Sequence, residues 1–240
     1  MTEQAPIVSI VLPVYNEGEA VVPVIRALAD SVHHPCEILV VYDFDGDTTV
    51  PVARALAAEM PIVKPLRNEL GRGVLNAMKA GIAAASAPYV LISMADASDE
   101  PDVVDAMVAL AIDGADLVAG SRYMKGGRQI GGPLLKRTMS RVAGLTLHWF
   151  AGVPIHDSTS NFKLYSRSFL DSITIESTAG FALALELSVK ATLAGRRLAE
   201  VPTTWRDRTS GKSNFQLRKW LPNYLHWYFA AFRGRFRRPH

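Results

Sequence analysis

The amino-acid sequence predicts an α/β fold in which a mostly parallel central sheet is flanked by helices. Short apolar runs alternate with longer amphipathic segments through the first half of the 240 residues, and this alternation is typical of parallel strands joined by right-handed crossovers. Hydrophobic residues make up 49% of the chain and charged residues 20%, which indicates a globular protein with a sizeable core. The length suits one large domain or one domain with a small appendage.

Five apolar runs are predicted to form strands of this sheet. The runs at 37–42 and 89–92 are continuous rather than alternating, which indicates burial on both faces. Pro13 stops the first run, and Pro101 suits the first turn of the helix after the fourth. The predicted strands are residues 7–12, 37–42, 62–65, 89–92 and 116–119. The predicted helices are residues 19–31, 48–59, a segment that starts after the loop at 67–73 and ends near 85, and 101–113.

Cysteine content and hydropathy bear on the compartment. Cys36 is the single cysteine, so no internal disulfide can form, and a reducing, cytoplasmic compartment is expected. The first six residues lack the basic start and apolar core of a signal peptide. No uncharged apolar run reaches the roughly 18 residues that cross a bilayer. We therefore expect a protein that does not span a membrane by itself.

Charge is distributed unevenly along the chain. Residues 206–240 contain nine Lys or Arg and one acid, Asp207, which leaves a net charge of −5 on the rest of the chain. A basic tail suggests an anionic partner such as a membrane surface or a phosphate-bearing acceptor. Nucleic acid is not expected, because no recognised nucleic-acid motif accompanies the charge. We expect a catalytic domain at residues 1–213 and a basic, aromatic segment at 214–240.

The C-terminal segment mixes aromatic residues with cations. Such a mixture suits the headgroup region of a membrane, and the protein is therefore expected at the inner face of the membrane as a peripheral protein. A helix packed on the domain, or a contact between two copies in a homo-oligomer, is the alternative role. The aromatic residues concerned are Trp220, Tyr224, Trp227, Tyr228 and Phe232.

A cluster of acids follows the fourth predicted strand. Asp96, Asp99, Glu100 and Asp102 stand where an open parallel sheet collects its ligands, just beyond the carboxyl end of a strand. Carboxylates there can hold a hard divalent cation that in turn clamps a diphosphate. The alternative is that these acids only cap the following helix and favour its positive end.

Several motifs together carry a resemblance. Residues 11–17 (Val-Leu-Pro-Val-Tyr-Asn-Glu), the acids after the second strand and Asn68-x-x-Gly71-Arg72-Gly73 resemble a family 2 glycosyltransferase with a GT-A fold. The later motifs narrow the resemblance to the dolichol-phosphate mannosyltransferase branch. These later motifs are residues 120–127, 157–165, 200–202 and 207–213. The resemblance implies an inverting hexosyltransferase that moves a hexose, mannose by default, from a nucleotide diphosphate sugar to a polyprenyl or dolichyl phosphate.

The resemblance implies where the donor binds. Carboxylates suit the N–H groups of a base and the hydroxyls of a ribose, and a tyrosine can pack on a base. Arg72 lies between two glycines at a helix start, where backbone N–H groups can help it meet a phosphate. The implied donor-binding residues are Pro13, Tyr15, Glu17, Asp43, Arg72 and Asp96.

The expected metal motif is altered in this sequence. The family places two aspartates around one residue, but Met94 stands at the first of these positions and only Asp96 remains. We expect Asp96 and Ser98 to hold Mg²⁺ or Mn²⁺ together with the donor's diphosphate, since Mg²⁺ keeps several other ligands. Loss of one carboxylate should weaken the metal or shift part of its role to basic side chains.

The resemblance also implies an acceptor-phosphate site around a glycine-rich loop at 126–132. Arginine offers phosphate bidentate charge-assisted bonds, and lysine offers a point charge. Arg206 and Arg208 are expected to reach a phosphate when a loop closes. The acceptor-phosphate residues are Arg122, Lys136, Arg137 and Ser140, and the catalytic residues are Asp96, Arg122 and Arg208.

Two further elements are predicted in the second half. A helix at 182–194 carries Glu186, for which we expect either a contact with the donor sugar or acceptor loop, or a surface position. Residues 203–205 are expected to continue an edge strand.

Two other functions remain open from the sequence. One is a transferase acting on a saccharide or small-molecule hydroxyl, which would need Asp96 or Asp99 as a general base. The other is a degenerate protein that binds a nucleotide sugar without turnover because position 94 is methionine.

Overall fold

The computed structural model describes residues 4–178, 180–207 and 217–235. The strands are β1 Val8–Pro13, β2 Cys36–Tyr42, β3 Val63–Arg67, β4 Tyr89–Ile92, β5 Leu117–Ser121, β6 Arg128–Ile130, β7 Lys163–Ser166, β8 Leu198–Pro202 and β9 Thr204–Arg206. The helices are α1 Val21–Ser31, α2 Thr49–Glu59, α3 Val74–Ala84, α4 Val104–Ile112, α5 Leu134–Thr146, α6 Arg167–Asp171, α7 Leu183–Leu193 and α8 Leu217–Arg235. A π-helical turn, Leu147–Ala151, continues α5.

Seven strands form the central sheet in the order β3-β2-β1-β4-β7-β5-β8. All neighbouring strands are parallel except β7, which runs antiparallel to both β4 and β5. The predicted α/β fold with a mostly parallel sheet is therefore confirmed. The five predicted strands and four predicted helices of the first half agree with the structure to within about two residues at most of their ends, which is the usual uncertainty of helix ends.

Helices cover both faces of the sheet because alternate strand residues point to opposite sides. Val8, Ile10 and Leu12 of β1 pack with buried residues of α1, α2 and α4. Val11 lies in a second cluster with buried residues of α3, α7 and α8. The carboxyl ends of β1, β2 and β4 therefore meet at one edge between two filled layers.

A buried glutamate ties three strands together within the sheet. Glu37 of β2 accepts hydrogen bonds from the Ser9 hydroxyl at 2.6 Å and the Lys64 ammonium at 2.7 Å, and also from the N–H and hydroxyl of Ser86. Burial would raise the pKa of Glu37, but these hydrogen bonds outweigh it and lower the pKa to about 2.

The edge-strand prediction for residues 203–205 is wrong. β9 leaves the central sheet after β8 and pairs in parallel with β6, so the two form a separate small sheet. Strand β6 belongs to the glycine-rich segment at 126–132, and β9 pairs beside it. The N–H of Arg206 also donates to the Ser98 carbonyl at 2.9 Å, which brings the small sheet against the acidic segment.

The C-terminal helix α8 packs on the domain through one face. Trp227 and Ala231 are buried within the second core cluster, and Trp227 Nε1 donates to the Ser177 hydroxyl at 3.2 Å. The expected boundary at residue 213 lies outside the described residues. Among the helices that the structure describes, none is long and apolar enough to cross a membrane.

Candidate active site

A cavity of about 400 Å³ opens beyond the carboxyl ends of β4 and β5. Its walls come from the acidic segment after β4, from Arg122 after β5, from β6 and α5, and from the segment before β7. Six residues predicted from the sequence line this one cavity, namely Asp96, Ser98, Arg122, Lys136, Arg137 and Ser140. The structure thus brings the predicted metal and acceptor-phosphate residues together, although their roles stay predictions.

Arg122 is held by a buried carboxylate that the sequence reasoning did not assign. Its Nε and Nη2 donate to the two oxygens of Asp157 at 2.6 and 3.0 Å. Asp157 is fully buried, and its burial would raise its pKa, but the charge and hydrogen bonds of Arg122 outweigh that effect and lower it to about 2. For Arg122, burial acts to lower the pKa, and Asp157 raises it overall. The motif at 157–165 was the only sequence signal for Asp157.

Ser140 joins this pair to helix α5. Its hydroxyl accepts from Arg122 Nη2 at 3.2 Å and from the Tyr123 hydroxyl at 2.8 Å, and it lies 2.6 Å from Thr159 Oγ1. Lys136 is one helical turn before Ser140, so both face the same side of the helix. α5 therefore presents a hydroxyl and an ammonium to the cavity beside the Arg122 guanidinium.

The loop before β7 is fixed by the same carboxylate. Asp157 Oδ1 accepts from the N–H groups of Thr159 and Ser160 at 3.3 and 3.1 Å. The ammonium of Lys163, which is fully buried, donates to the Ser160 carbonyl. Burial lowers the pKa of Lys163 to about 7, although Asp157 acts in the opposite direction. This wall of the cavity is preorganised by buried charges.

The acidic segment contains one buried oxygen that finds no hydrogen-bond partner among the described residues. That atom is Asp99 Oδ2. Burial is the main cause that raises the pKa of Asp99 to about 7, and the negative charge of Asp96 acts in the same direction. Asp96 itself accepts from the Ser98 N–H at 3.2 Å, with Ala97 between them in the left-handed region at φ 55°.

These oxygens fit a hard divalent cation. Mg²⁺ and Mn²⁺ prefer carboxylate and hydroxyl oxygens, and Asp99 Oδ2 is a buried oxygen that lacks any other partner in the described structure. The described residues contain no group of three or more His, Cys, Asp or Glu side chains that could hold a metal ion. A cation here would therefore need oxygens from a bound diphosphate as well.

Of the predicted donor-binding residues, only Asp96 lines this cavity. The others lie at or after the ends of neighbouring strands: Pro13, Tyr15 and Glu17 at β1, Asp43 at β2, and Arg72 after β3. Tyr15 is 54% exposed and meets the Phe44 ring edge-on at 6.1 Å, and the Arg72 guanidinium lies 4.6 Å from the Phe44 ring centre. Phe44, which the sequence reasoning did not select, is half-buried and contacts both the exposed Tyr15 and Arg72, so the two rings form a partly exposed aromatic platform. Such a platform suits stacking of a planar base.

Asp43, Pro13 and Glu17 are less open than Tyr15. Asp43 accepts from the Asn68 amide at 2.7 Å and from the Gly73 N–H at 2.8 Å, so it shapes the loop that carries Arg72. Pro13 is buried at the end of β1, and Glu17 is half-buried. The two strand ends and the cavity share one edge of the sheet.

Glu186 has neither of the positions expected for it. It is fully buried on α7, pairs with Lys190 at 2.8 Å and accepts from the N–H groups of Glu176 and Ser177 at 2.6 and 2.8 Å. It does not line the cavity, so it holds the preceding loop. The predicted catalytic residue Arg208 lies outside the described residues.

Comparison with known proteins adds independent information. The model of the family described as Glycosyl transferase family 2 matches residues 9–174. The polyprenol monophosphomannose synthase of Mycolicibacterium smegmatis is 31% identical over 220 residues, which cover 85% of this chain and 79% of the relative. The undecaprenyl-phosphate mannosyltransferase of Micrococcus luteus is 30% identical over 208 residues, with 85% of each chain covered. The dolichol-phosphate mannosyltransferase of Pyrococcus furiosus is 27% identical, with 87% of this chain and 59% of the relative covered.

Solved structures share the fold. Glucosyl-3-phosphoglycerate synthase from Mycobacterium tuberculosis, in complex with Mn²⁺, UDP and glucosyl-3-phosphoglycerate, superposes with a TM-score of 0.67 at 19% identity, covering 98% of this chain and 81% of the other. The same enzyme with Mg²⁺ and UDP gives 0.66 at 21% identity, with the same coverage. The likeness confirms the expected GT-A fold.

Proposed function

We propose that this chain, which belongs to glycosyl transferase family 2, transfers a hexose from a nucleotide diphosphate sugar to a polyprenyl phosphate with inversion. Mannose is the default hexose, because the relatives described above are named as mannosyltransferases or as a polyprenol monophosphomannose synthase. The observation that carries the proposal is the single cavity in which Arg122, Lys136 and Ser140 face the acidic segment. It supplies cationic and hydroxyl groups for one phosphate opposite carboxylates suited to a metal-bound diphosphate.

In the proposed reaction a phosphate oxygen of the acceptor attacks the anomeric carbon of the donor sugar. The bond from that carbon to the diphosphate oxygen breaks, and the nucleoside diphosphate leaves with the bonding electrons. A phosphate acceptor is already anionic near neutral pH, so the attacking oxygen needs no general base. Positioning and charge stabilisation then account for most of the catalysis.

Arg122, Lys136, Arg137 and Ser140 are the proposed acceptor-phosphate residues. Arg122 is oriented before any ligand binds, because Asp157 engages its Nε and Nη2 at 2.6 and 3.0 Å. A preoriented guanidinium loses less conformational freedom when it binds an anion. Arg208 is proposed to act on the departing diphosphate from outside the described residues.

Asp96 and Ser98, with Asp99 beside them, would hold Mg²⁺ or Mn²⁺. When bound, such an ion would neutralise charge on the donor's diphosphate. Asp99 adds a second carboxylate to the segment in which Met94 replaces an acid, and its Oδ2 has no hydrogen-bond partner in the described structure. Although Met94 removes one carboxylate from the expected metal motif, Asp99 supplies another, so the acidic segment still suits a divalent cation.

The donor nucleotide is proposed to bind at the ends of β1 and β2, with Asp96 near the sugar diphosphate. Tyr15 and Phe44 offer the aromatic surface, and Arg72 lies over the Phe44 ring. Pro13, Glu17 and Asp43 shape or contact this end of the sheet. The protein is further proposed to work as a peripheral protein at the inner membrane face, where a polyprenyl phosphate presents its headgroup.

Donor turnover tests the proposal. The protein is incubated with GDP- and UDP-sugars, Mg²⁺ or Mn²⁺, and a short polyprenyl phosphate, and nucleoside diphosphate release and glycolipid are followed by mass spectrometry. We expect release that depends on the lipid phosphate, fastest with GDP-mannose. Donor binding without glycolipid, with either metal, would contradict the proposal and favour the non-catalytic alternative.

A further inference from the structure

Helix α5 and the π-helical turn that continues it expose several large apolar side chains. Leu134 and Leu135 in its first turn are 72% and 67% exposed, and Val142 near its end is 54% exposed. Trp149 and Phe150 of the π-helical turn are 60% and 62% exposed. Five large apolar side chains within 17 residues form a patch of the kind that marks an interaction site rather than ordinary scattered exposure.

Helix α8 adds an apolar stripe. Leu221, Leu225 and Phe229 are spaced four residues apart, so they lie along one side of the helix, and they are 36%, 42% and 52% exposed. Trp227 and Ala231 are buried against the domain. The stripe is therefore not needed for packing α8 onto the described structure.

The two apolar segments are adjacent. α8 contacts the π-helical turn, and the Tyr228 hydroxyl lies 3.0 Å from Thr146 Oγ1 at the end of α5. We use the term docking face for the eight exposed apolar side chains of these two segments, namely Leu134, Leu135, Val142, Trp149, Phe150, Leu221, Leu225 and Phe229.

The segment that contains α5 and the π-helical turn carries charge of one sign. Residues 117–156 contain six Lys or Arg and no Asp or Glu, and Arg233 of α8 is exposed. An open cavity of about 410 Å³ between β6 and α5 is lined by four arginines, which include Arg128, Arg137 and Arg141. Guanidinium groups so arranged suit phosphate headgroups.

This charge pattern selects between two occupants of the docking face. If a second copy packed there through the same patch, cations would face cations, which is unfavourable at an interface with low dielectric. An anionic bilayer matches both the cations and the apolar side chains. Trp149 and the arginines are also the residue types that favour the headgroup region.

We propose that the docking face binds the surface of an anionic membrane and so sets the cavity at the lipid headgroups. The inference rests on the proposed function, which supplies the lipid acceptor. The surface that contacts the membrane is not specified by that function. Lys136 and Ser140 line the cavity from the same helix whose Leu134, Leu135 and Val142 are exposed. Docking through α5 would place these phosphate-facing groups within reach of a headgroup at the interface.

The test measures sedimentation of the full chain with phosphatidylcholine vesicles that contain or lack phosphatidylglycerol. We expect binding that requires the anionic lipid and weakens as salt rises. The double variant Leu134→Ser/Leu135→Ser should bind about tenfold or more weakly, since each leucine loses apolar burial. Arg128→Gln and Arg141→Gln should each weaken binding about fivefold, as expected for one cation near an anionic surface.

A matched control is Ile112→Ser on α4. Ile112 is 56% exposed, but α4 packs on the opposite face of the sheet from α8, so this variant should bind like wild type. Equal binding by wild type and the leucine variant, or equal weakening by Ile112→Ser, would overturn the proposal. A concentration-dependent dimer of wild type that the leucine variant abolishes, without vesicle binding, would assign the face to a second copy instead.

Turnover with a short, water-soluble acceptor phosphate separates this inference from the proposed function. The Leu134→Ser/Leu135→Ser variant should keep wild-type rates in that assay, and thermal unfolding checks that it folds. Turnover without vesicle binding would reject the docking face and leave the function intact. Vesicle binding without turnover on any acceptor phosphate would reject the proposed function while the docking face stands.

Discussion

The buried pair of Arg122 and Asp157 fixes the guanidinium that lines the cavity. The two oxygens of Asp157 engage Nε and Nη2 of the guanidinium, and the Arg122 side chain is only 10% exposed. A buried pair of this kind adds little net stability, but removal of one partner leaves an uncompensated charge. The pair therefore acts mainly as an orienting device.

Asp157→Asn should destabilise the protein by about 3 kcal/mol, because Arg122 is then left buried without its counter-charge. Urea unfolding of the two single variants, Asp157→Asn and Arg122→Gln, and of the double variant gives the coupling energy. We expect the double variant to be less destabilised than the sum of the singles. Strict additivity would show that the two side chains do not depend on each other.

Glu37 should make the protein sensitive to acid. Its pKa is lowered to about 2 from an ordinary value of 4.5, so its contribution is fully present above pH 4.5 and is lost as the pH falls from there toward 2. Linkage gives about 3 kcal/mol for a shift of this size.

The measurement is the free energy of unfolding of wild type and Glu37→Gln from pH 7 to pH 3. We expect the two proteins to differ most at neutral pH and to converge as the pH falls. A difference that stays constant across this range would show that the Glu37 carboxylate has an ordinary pKa.

Helix α5 packs closely against its neighbours at Gly144. A Cβ added at Gly144 would lie 2.4 Å from the His156 carbonyl oxygen and 3.5 Å from the Tyr123 ring. The helix can approach the segment before β7 only because this position lacks a side chain. Ser140, one turn earlier, meets Thr159 across the same contact.

Gly144→Ala should therefore displace α5 and separate Ser140 from Arg122. Overpacking of this kind costs about 1–3 kcal/mol, and we expect a rise in the KM for the acceptor phosphate that exceeds any rise for the donor. Steady-state kinetics with each substrate varied in turn provides the measurement. Thr138→Ala on the exposed side of α5 is the matched control and should leave both constants unchanged.

Strands with a clear apolar run were predictable from the sequence. Strands that form only by pairing with a distant segment were not. β1, β2 and β4 are buried along nearly their whole length, so their continuous apolar runs predict strands directly. β6 and β9 have three residues each and form through pairing with each other, which no local pattern encodes. The reversal of β7 likewise depends on its insertion between β4 and β5.

The candidate site was predictable where residue type and motif agreed. Six predicted residues meet at the cavity, because strand-end loops gather at one edge of a parallel sheet. Asp157 and Phe44 were not selected, since their importance follows from contacts with Arg122 and Arg72 across distant parts of the chain. Glu186 was misplaced because burial of a carboxylate beside Lys190 cannot be read from helix periodicity.

Across the whole molecule, the acidic and basic groups of the cavity come from different parts of the chain. The acidic segment follows β4, whereas Arg122 follows β5 and Lys136 and Arg137 belong to α5, the helix that also contributes to the docking face. The cavity lies where the two groups of elements meet. This division suits a reaction that joins a soluble donor to an acceptor held at a surface.

A comparison of two acceptors distinguishes transfer to a phosphate from transfer to a hydroxyl group. The protein is given GDP-mannose, Mg²⁺ or Mn²⁺, and either a polyprenyl phosphate or the polyprenol of the same chain length, and the products are followed by mass spectrometry. We expect a mannosylated lipid from the phosphate and none from the alcohol. Turnover on the polyprenol at a comparable rate would contradict this expectation and would favour a transferase that acts on hydroxyl groups.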